Sequence, residues 1–231
     1  MQSGKKSDLE LIKFIIKKSG LLFGSFELKS KRTSPYFFNL ANIIVDGEGL
    51  YKISEIFAKY LHDQICIDNF DFIFGPAYKG IPLAATICLQ LNRLYNVNKR
   101  WGYDRKESKD YGDSKEKWLV GEFKDDDRII IVDDVVTTGL TKIKTSDKIK
   151  KYSGASNLKF SGIIILLDRQ EKNKQGESVS VFLKNSGLHL HSILKIKNIF
   201  ELLKNQEIDG KIIIDSKKYN EFENYFKKYG N

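Results

Sequence analysis

Two adjacent carboxylates, set between an apolar run and a string of hydroxyls with a glycine, are the residues of this chain best suited to chemistry. The stretch reads Ile129-Ile130-Ile131-Val132-Asp133-Asp134-Val135-Val136-Thr137-Thr138-Gly139-Leu140-Thr141-Lys142. The β-branched run Ile129–Val132 predicts a short strand buried on both faces, as in a parallel sheet, ending at the two carboxylates. A helix is expected from about Leu140. A strand-to-helix loop of this kind aims backbone N–H groups and threonine hydroxyls at one spot, which suits a phosphate. Carboxylates at its mouth repel a phosphate, so they fit a different task, accepting hydrogen bonds from sugar hydroxyls. Phosphate cradle plus diol acceptor describes a ribose 5-phosphate site. The bland alternative is a buried strand with a solvated acidic turn. The Asp-Asp dipeptide alone does not decide between them; the full hydrophobic-Asp-Asp-x-x-Thr-x-Gly string favours the site.

Further segments carry candidate chemistry. Phe74-Gly75-Pro76-Ala77-Tyr78-Lys79-Gly80 offers glycines for tight backbone turns and a lysine point charge between them. Tyr103-Asp104-Arg105-Lys106-Glu107-Ser108-Lys109-Asp110-Tyr111-Gly112-Asp113 lies in a polar segment, 96–117, with little apolar periodicity. A loop of that length inside a compact domain is functional or disordered. Basic and aromatic residues alternate from Phe26 through Lys29 to Phe37 and Phe38, a pattern shared by single-stranded nucleic-acid binders and by plain amphipathic strands. Asp168-Arg169-Gln170-Glu171 closes another apolar run, and a guanidinium fork there is a natural reader of a carboxylate.

These residues need a scaffold, and the pattern supplies an α/β one. Ser7 to Glu10 has the form of a capping box, with Leu9, Ile12, Ile15 and Ile16 at helical spacing. Strands and turns of a small N-terminal hood follow over 22–42. Leu50, Ile53, Phe57, Tyr60 and Leu61 mark a helix, Phe72–Phe74 a strand and Ile81–Leu94 a helix. Phe160–Leu167 and Ile193–Ile196 read as strands, and Tyr219, Phe222 and Phe226 as a C-terminal amphipathic helix. Alternating strands and helices imply a mostly parallel, twisted sheet flanked by helices, with right-handed crossovers. The chain divides into an N-terminal helix and hood (1–45), a core (46–204) and a C-terminal helical extension (205–231). In such sheets ligands gather at the carboxyl ends of the strands, where 75–80, 133–141 and 168–170 all fall.

Bulk composition narrows the class. At 231 residues and 41% hydrophobic, the chain suits a single folded domain with a modest extension. No apolar run is long enough for a membrane span, and the polar N-terminus has no secretory core. Its two cysteines, Cys66 and Cys88, lack metal-ligand spacing, and Cys88 falls in an apolar helical pattern; a reduced, cytoplasmic protein is expected. The net charge of +9 suits either nucleic acid or small polyanions. Lysines are spread along the chain among acidic residues, which favours the small ligand and argues against nucleic acid.

Together these segments resemble the orotate phosphoribosyltransferases, a type I phosphoribosyltransferase family, over roughly 23–203. The resemblance implies the type I phosphoribosyltransferase fold and transfer of ribose 5-phosphate from 5-phosphoribosyl-1-pyrophosphate (PRPP) to orotate, giving orotidine 5′-monophosphate in UMP synthesis. It implies that Asp133 and Asp134 hold the ribose hydroxyls. Val135, Val136, Thr137, Thr138, Gly139, Leu140 and Thr141 would form the 5′-phosphate loop. Tyr78, Lys79, Arg105, Lys106, Lys109 and Tyr111 would face the pyrophosphate. Lys29 would reach PRPP, Phe37 and Phe38 would flank the orotate, and Thr137 and Arg169 would bind it. Lys109, Asp133 and Lys29 are the implied catalytic residues. Mg2+ is the implied cofactor, held mainly by PRPP and water. The implied assembly is a homodimer whose loop at about 103–115 closes over the neighbouring active site, with orotidine 5′-monophosphate decarboxylase as a further candidate partner.

Two departures from the family pattern stand out. Tyr111 occupies the place of a histidine, and a tyrosine cannot carry positive charge at neutral pH, which leaves Lys109 as the loop's main cation. Leu140 interrupts a Thr-Ala-Gly-Thr-Ala type sequence and cannot donate, so the 5′-phosphate must rely on backbone amides, Thr138 and Thr141. Two other readings remain: a phosphoribosyltransferase for another base, and a PRPP-responsive regulator without catalysis.

Overall fold

The structure, a computed structural model, describes residues 2–28, 30–107, 118–173 and 175–231. In chain order its elements are α1 (Gln2–Lys17), β1 (Leu21–Glu27), β2 (Thr33–Phe38), α2 (Leu40–Ile43), α3 (Gly47–Tyr60), β3 (Phe72–Gly75) and α4 (Gly80–Tyr95). Then come β4 (Arg100–Asp104), β5 (Leu119–Val120), β6 (Arg128–Val136), α5 (Leu140–Tyr152) and β7 (Lys159–Asp168). The chain finishes with α6 (Val179–Asn185), β8 (Leu190–Lys195), α7 (Ile196–Leu203), β9 (Glu207–Ile208), β10 (Lys211–Ile212) and α8 (Ser216–Tyr229).

Six strands form one sheet in the order β5-β4-β3-β6-β7-β8, parallel except for β5. The pleat sends alternate side chains to opposite faces, and each face has its own core. Phe72, Phe74, Ile129, Ile131, Ile163 and Ile165 share one cluster with Ile149 of α5 and Leu183 of α6. Ile73, Ile130, Val132, Ile164 and Leu166 share the other with residues of α1, α3, α4, α7 and α8. A sheet buried on both faces explains why its central strands read as continuous apolar runs rather than alternating ones. Order reverses between β3 and β6: β3 leads through α4 to β4 on one side, and β6 through α5 to β7 on the other. A crevice opens at such a switch point.

Salt bridges tie the opposite, amino-terminal ends of these strands. Arg128, at the start of β6, donates from Nε and Nη2 to both carboxylate oxygens of Asp71, each at 2.8 Å. The Asp71 carboxyl is lowered to about 2, chiefly by those side-chain bonds. Arg100, at the start of β4, pairs with both oxygens of Asp127.

Several sequence expectations need correction. The first helix starts at Gln2, not at the capping box, and Ser7 lies inside it; no proline in 2–6 stops it from extending backward. β6 does not end at the carboxylates but runs on to Val136, because Val135 and Val136 still pair with Leu167 and Asp168 of β7. The polar stretch 96–117 is not all loop, since it contains β4. The last core strand is Leu190–Lys195, and Ile196 begins α7. The hood is an antiparallel pair, β1 with β2. The C-terminal extension adds a β9–β10 hairpin before its helix, and α8 returns to pack against β2. Cys88 is buried in the core as expected, while Cys66 is exposed.

Candidate active site

The two carboxylates are successive residues of β6, so they leave the sheet toward opposite faces. Each meets a lysine from the helix start on its own side. Lys79, just ahead of α4, donates from Nζ to Asp134 Oδ2 at 2.7 Å. Lys142, in the first turn of α5, donates to Asp133 Oδ2. The ammonium of Lys142 is almost wholly enclosed, its side chain 4% exposed against 41% for Lys79. Burial pushes the Asp133 carboxyl above the usual carboxylate range, with Lys142 opposing and Asp134 adding to the shift. Backbone N–H groups hold the inner oxygens: Asp134 N–H donates to Asp133 Oδ1 and Val135 N–H to Asp134 Oδ1, each at 2.8 Å.

Beyond Val136 the chain turns through Thr137 and Thr138 to Gly139, which has φ +79° and precedes α5. That left-handed conformation suits glycine. A Cβ there would also press on Phe182 at 3.1 Å and Leu183 at 3.2 Å. Among the described residues, no protein acceptor meets the backbone N–H groups of Thr138, Gly139, Leu140 or Thr141. Unsatisfied N–H groups at a helix start, with the positive end of the helix dipole behind them, form an anion cradle. Thr137, Leu140 and Thr141 are exposed at its rim, and Leu140 presents only apolar surface there.

The 75–80 loop sits beside this cradle. Its two glycines serve close approach rather than the turns expected of them. Neither has a positive φ, and a Cβ on Gly75 would lie 1.9 Å from the Gly80 carbonyl oxygen. The Ala77-Tyr78 peptide is cis. Asp104, at the carboxyl end of β4, accepts the Ala77 N–H at 2.7 Å and Lys148 Nζ of α5 at 3.0 Å. Lys148 also reaches the Arg105 carbonyl oxygen at 2.6 Å. Arg105 is thereby fixed next to the loop, and its Nε is buried with no hydrogen-bond partner among the described residues. Lys106 places its ammonium 5.9 Å from the centre of the exposed Tyr78 ring.

At the end of β7, Arg169 is buried beneath the hood. Its Nε and Nη2 both donate to Glu171 Oε1, at 3.0 and 2.7 Å. Its guanidinium lies 4.8 Å from the centre of the Tyr36 ring. Burial works against its charge, but Tyr36, Glu171 and Tyr225 outweigh that and raise its pKa. On β2, Phe37 is exposed beside Phe26, with ring centroids 5.7 Å apart, whereas Phe38 is buried in the core. Phe37 and Phe38 therefore occupy opposite faces of the strand, and only Phe37 offers an open ring. Lys29, Lys109 and Tyr111 lie outside the described residues.

The fold thus brings Lys79, Asp133, Asp134 and the 137–141 cradle to one crevice, with Arg105 and Lys106 on one flank and Arg169 on the other side of β6. Sequence reasoning missed Lys142, Asp104, Lys148 and the role of Glu171. Lys142 was legible in principle: with Ser146 and Ile149 it forms the buried stripe of α5 at helical spacing, so a lysine there had to find an acid.

Comparison with known proteins places this geometry in context. Residues 41–189 match the phosphoribosyl transferase domain family. The chain is 37% identical to the orotate phosphoribosyltransferase of Clostridium acetobutylicum over 222 residues, 96% of each protein. Its fold is similar to the crystal structure of orotate phosphoribosyltransferase from Francisella tularensis, with TM-score 0.78 and 30% identity over 96% of this chain and all (100%) of that one. A UMP synthase from Leishmania donovani shares the fold at TM-score 0.73 and 24% identity, over 97% of this chain and 43% of that one.

Proposed function

The chain belongs to the orotate phosphoribosyltransferases, and from that premise we propose that it transfers ribose 5-phosphate from PRPP to orotate, releasing pyrophosphate. The observation that carries the reading at this site is the convergence of a paired carboxylate couple and an open N–H cradle at the β3/β6 switch point. In the reaction, the bond from the anomeric carbon to pyrophosphate breaks as a bond to the pyrimidine nitrogen forms. Glycosyl transfers of this kind pass through an oxocarbenium-like state. The protein's task is then positioning and electrostatics.

We assign the roles as follows. The 5′-phosphate seats on the backbone N–H groups of 138–141, aided by the hydroxyls of Thr137, Thr138 and Thr141. The ribose hydroxyls donate to Asp133 and Asp134, whose partner lysines cancel the charge that would otherwise repel a polyanion. Lys79, Arg105 and Lys106 face the departing pyrophosphate, joined by Lys109 and Tyr111 from the loop. Such a lid excludes water and stabilises the leaving group. Phe37, exposed on the hood, is assigned to the base, and Lys29, outside the described residues, to PRPP. Arg169 reads the base, but its Nε/Nη2 edge is already taken by Glu171. The Nη1 side, which bears no protein acceptor among the described residues, is what it can offer orotate.

Mg2+, held mainly by PRPP and water, would supply further charge neutralisation. The donor set fits an ion that arrives with PRPP: among the described residues no three His, Cys, Asp or Glu side chains converge, and both site carboxylates have lysine partners. A homodimer exchanging loops at about 103–115 completes each site. A cytoplasmic enzyme fits the free thiols, and no helix among the described residues is long and apolar enough to cross a membrane. Orotidine 5′-monophosphate decarboxylase, which consumes the product, is the proposed further partner.

The test is loss of orotate absorbance with PRPP and Mg2+, each omitted in turn, beside adenine, hypoxanthine and uracil as competing bases. Consumption of orotate only when both are present supports the reading. PRPP binding without turnover of any base would leave a regulatory protein on this fold, and turnover of a purine instead would reassign the base.

A further inference from the structure

The C-terminal extension is joined to the Arg169 segment by side chains and by backbone. Glu171 Oε1, which takes both Arg169 bonds, also accepts the hydroxyl of Tyr225 from α8 at 2.8 Å and that of Tyr36 from β2 at 3.1 Å. The other oxygen faces Arg32 of the hood at 3.5 Å. At the end of the helix, Lys172 N–H donates to the Tyr229 carbonyl at 2.8 Å, and just past it Asn231 N–H donates to the Gln170 carbonyl at 2.9 Å. Glu171 itself forms an antiparallel bridge with Gly230. The residues flanking Arg169 are therefore anchored on α8, where Tyr225 lies 54 positions after Glu171.

We propose that Tyr225 is a positioning residue for the base-reading arginine, acting through Glu171 to fix which edge of the Arg169 guanidinium faces the pyrimidine. This rests on the reading of Arg169 given above. A carboxylate oxygen with several donors converging on it has a single orientation that satisfies them all, and a guanidinium bonded through Nε and Nη2 inherits that orientation. Tyr225 suits the task because its hydroxyl stays protonated: burial, and then Glu171, push it up to about 12. Its ring is seated independently, in edge-on contact with Tyr36 at 6.3 Å, so removing the hydroxyl leaves the packing in place. The extension thereby gains a role in base selection, with the hood and α8 gripping one carboxylate from two sides.

The experiment compares Tyr225→Phe, Glu171→Gln and Arg169→Lys in the full chain, with KM for orotate and for PRPP, kcat and Tm measured for each. Loss of one hydrogen bond that acts on the substrate only through Glu171 is expected to raise KM for orotate roughly 2- to 10-fold in Tyr225→Phe, the scale of an ordinary net hydrogen bond. KM for PRPP and Tm should stay near wild type. Glu171→Gln should raise the orotate KM in the same direction. An unchanged orotate KM in Tyr225→Phe, with a raised one in Arg169→Lys, overturns the positioning role and leaves Arg169 as the reader. An unchanged orotate KM in Arg169→Lys itself overturns the reading of Arg169. Parallel rises in both KM values with a lowered Tm would show that Tyr225 serves the fold alone, which also overturns the proposal.

Discussion

Replacing Lys142 with methionine tests how the site holds its charge. Methionine keeps most of the stem's volume and removes only the ammonium, so the variant isolates the ion pair with Asp133. Both partners are well enclosed, with side chains 4% and 17% exposed. Removing one partner of such a pair costs about 3–5 kcal/mol, because the other charge is left without compensation. For a domain of this size that corresponds to a fall in Tm of roughly 6–20 °C. The loss depends on pH in a definite direction. Burial already raises the Asp133 carboxyl, and Lys142 is the main influence holding it down; without the lysine it rises further. A carboxyl whose folded pKa exceeds its unfolded value of about 3.9 favours the folded state below that value and loses the advantage as pH rises through the folded pKa. The Tm gap between wild type and Lys142→Met is therefore widest near pH 8 and narrows toward pH 5. Adding Asp133→Asn removes the orphaned charge and should recover most of the stability at pH 8. Scanning calorimetry at the two pH values checks this. A gap at pH 8 too small to measure, or one that widens on acidification, would refute the assignment of Lys142 as the counter-ion of a buried carboxylate.

Other expected outcomes are more direct. Lys109→Ala should lower kcat by about two to three orders of magnitude, the scale of a lost transition-state contact, with Tm unchanged; near-normal turnover would remove Lys109 from the mechanism. Chelation of Mg2+ with EDTA should abolish turnover while leaving Tm without PRPP unaltered, whereas a fall in Tm would point to a structural ion. Arg128 holds the Asp71 carboxyl down at about 2, below its unfolded value, so that stability is present above about pH 4 and disappears as pH falls toward 2. Acid titration followed by circular dichroism should show a shallower loss over that window in Asp71→Asn than in wild type; identical curves would show that the pair does not contribute to acid stability.

The parts of the fold that were legible in the sequence are those whose burial is two-sided. β3, β6 and β7 are near-continuous apolar runs because both faces of the sheet are covered. β4 escaped notice for a different reason. Its residues Arg100-Trp101-Gly102-Tyr103-Asp104 neither alternate nor run apolar, and crowding puts a glycine at the centre. A Cβ on Gly102 would lie 2.2 Å from the Val120 carbonyl oxygen and 2.8 Å from the Phe72 ring. Nor does its neighbour help, since β5 is only Leu119–Val120. The true extent of β6 was hidden too: carboxylates argue for the end of a buried strand, and here they continue it because lysines meet them on both faces.

That compensation explains which half of the site could be read and which could not. Asp133, Asp134 and the hydroxyl-glycine turn are contiguous, so their chemistry shows as a string. Their counter-ions are not part of that string: Lys79 lies 55 positions before Asp134, and Lys142 lies 9 positions after Asp133, on the helix that follows. Yet a buried acid requires a buried donor, and topology limits where one can stand. At the carboxyl edge of a parallel sheet, the nearest side chains come from the turns and first helical positions that follow each strand. Lys79 sits just ahead of α4 and Lys142 in the first turn of α5. Both lysines were therefore the candidates to consider once the Asp-Asp pair was placed at that edge. Their job also bears on PRPP itself. A crevice holding two uncompensated carboxylates would repel a polyanion, whereas one holding two carboxylates and two ammoniums is neutral before the phosphate arrives. On the proposed reading, the carboxylates then accept the sugar hydroxyls while the adjoining helix start takes the phosphate.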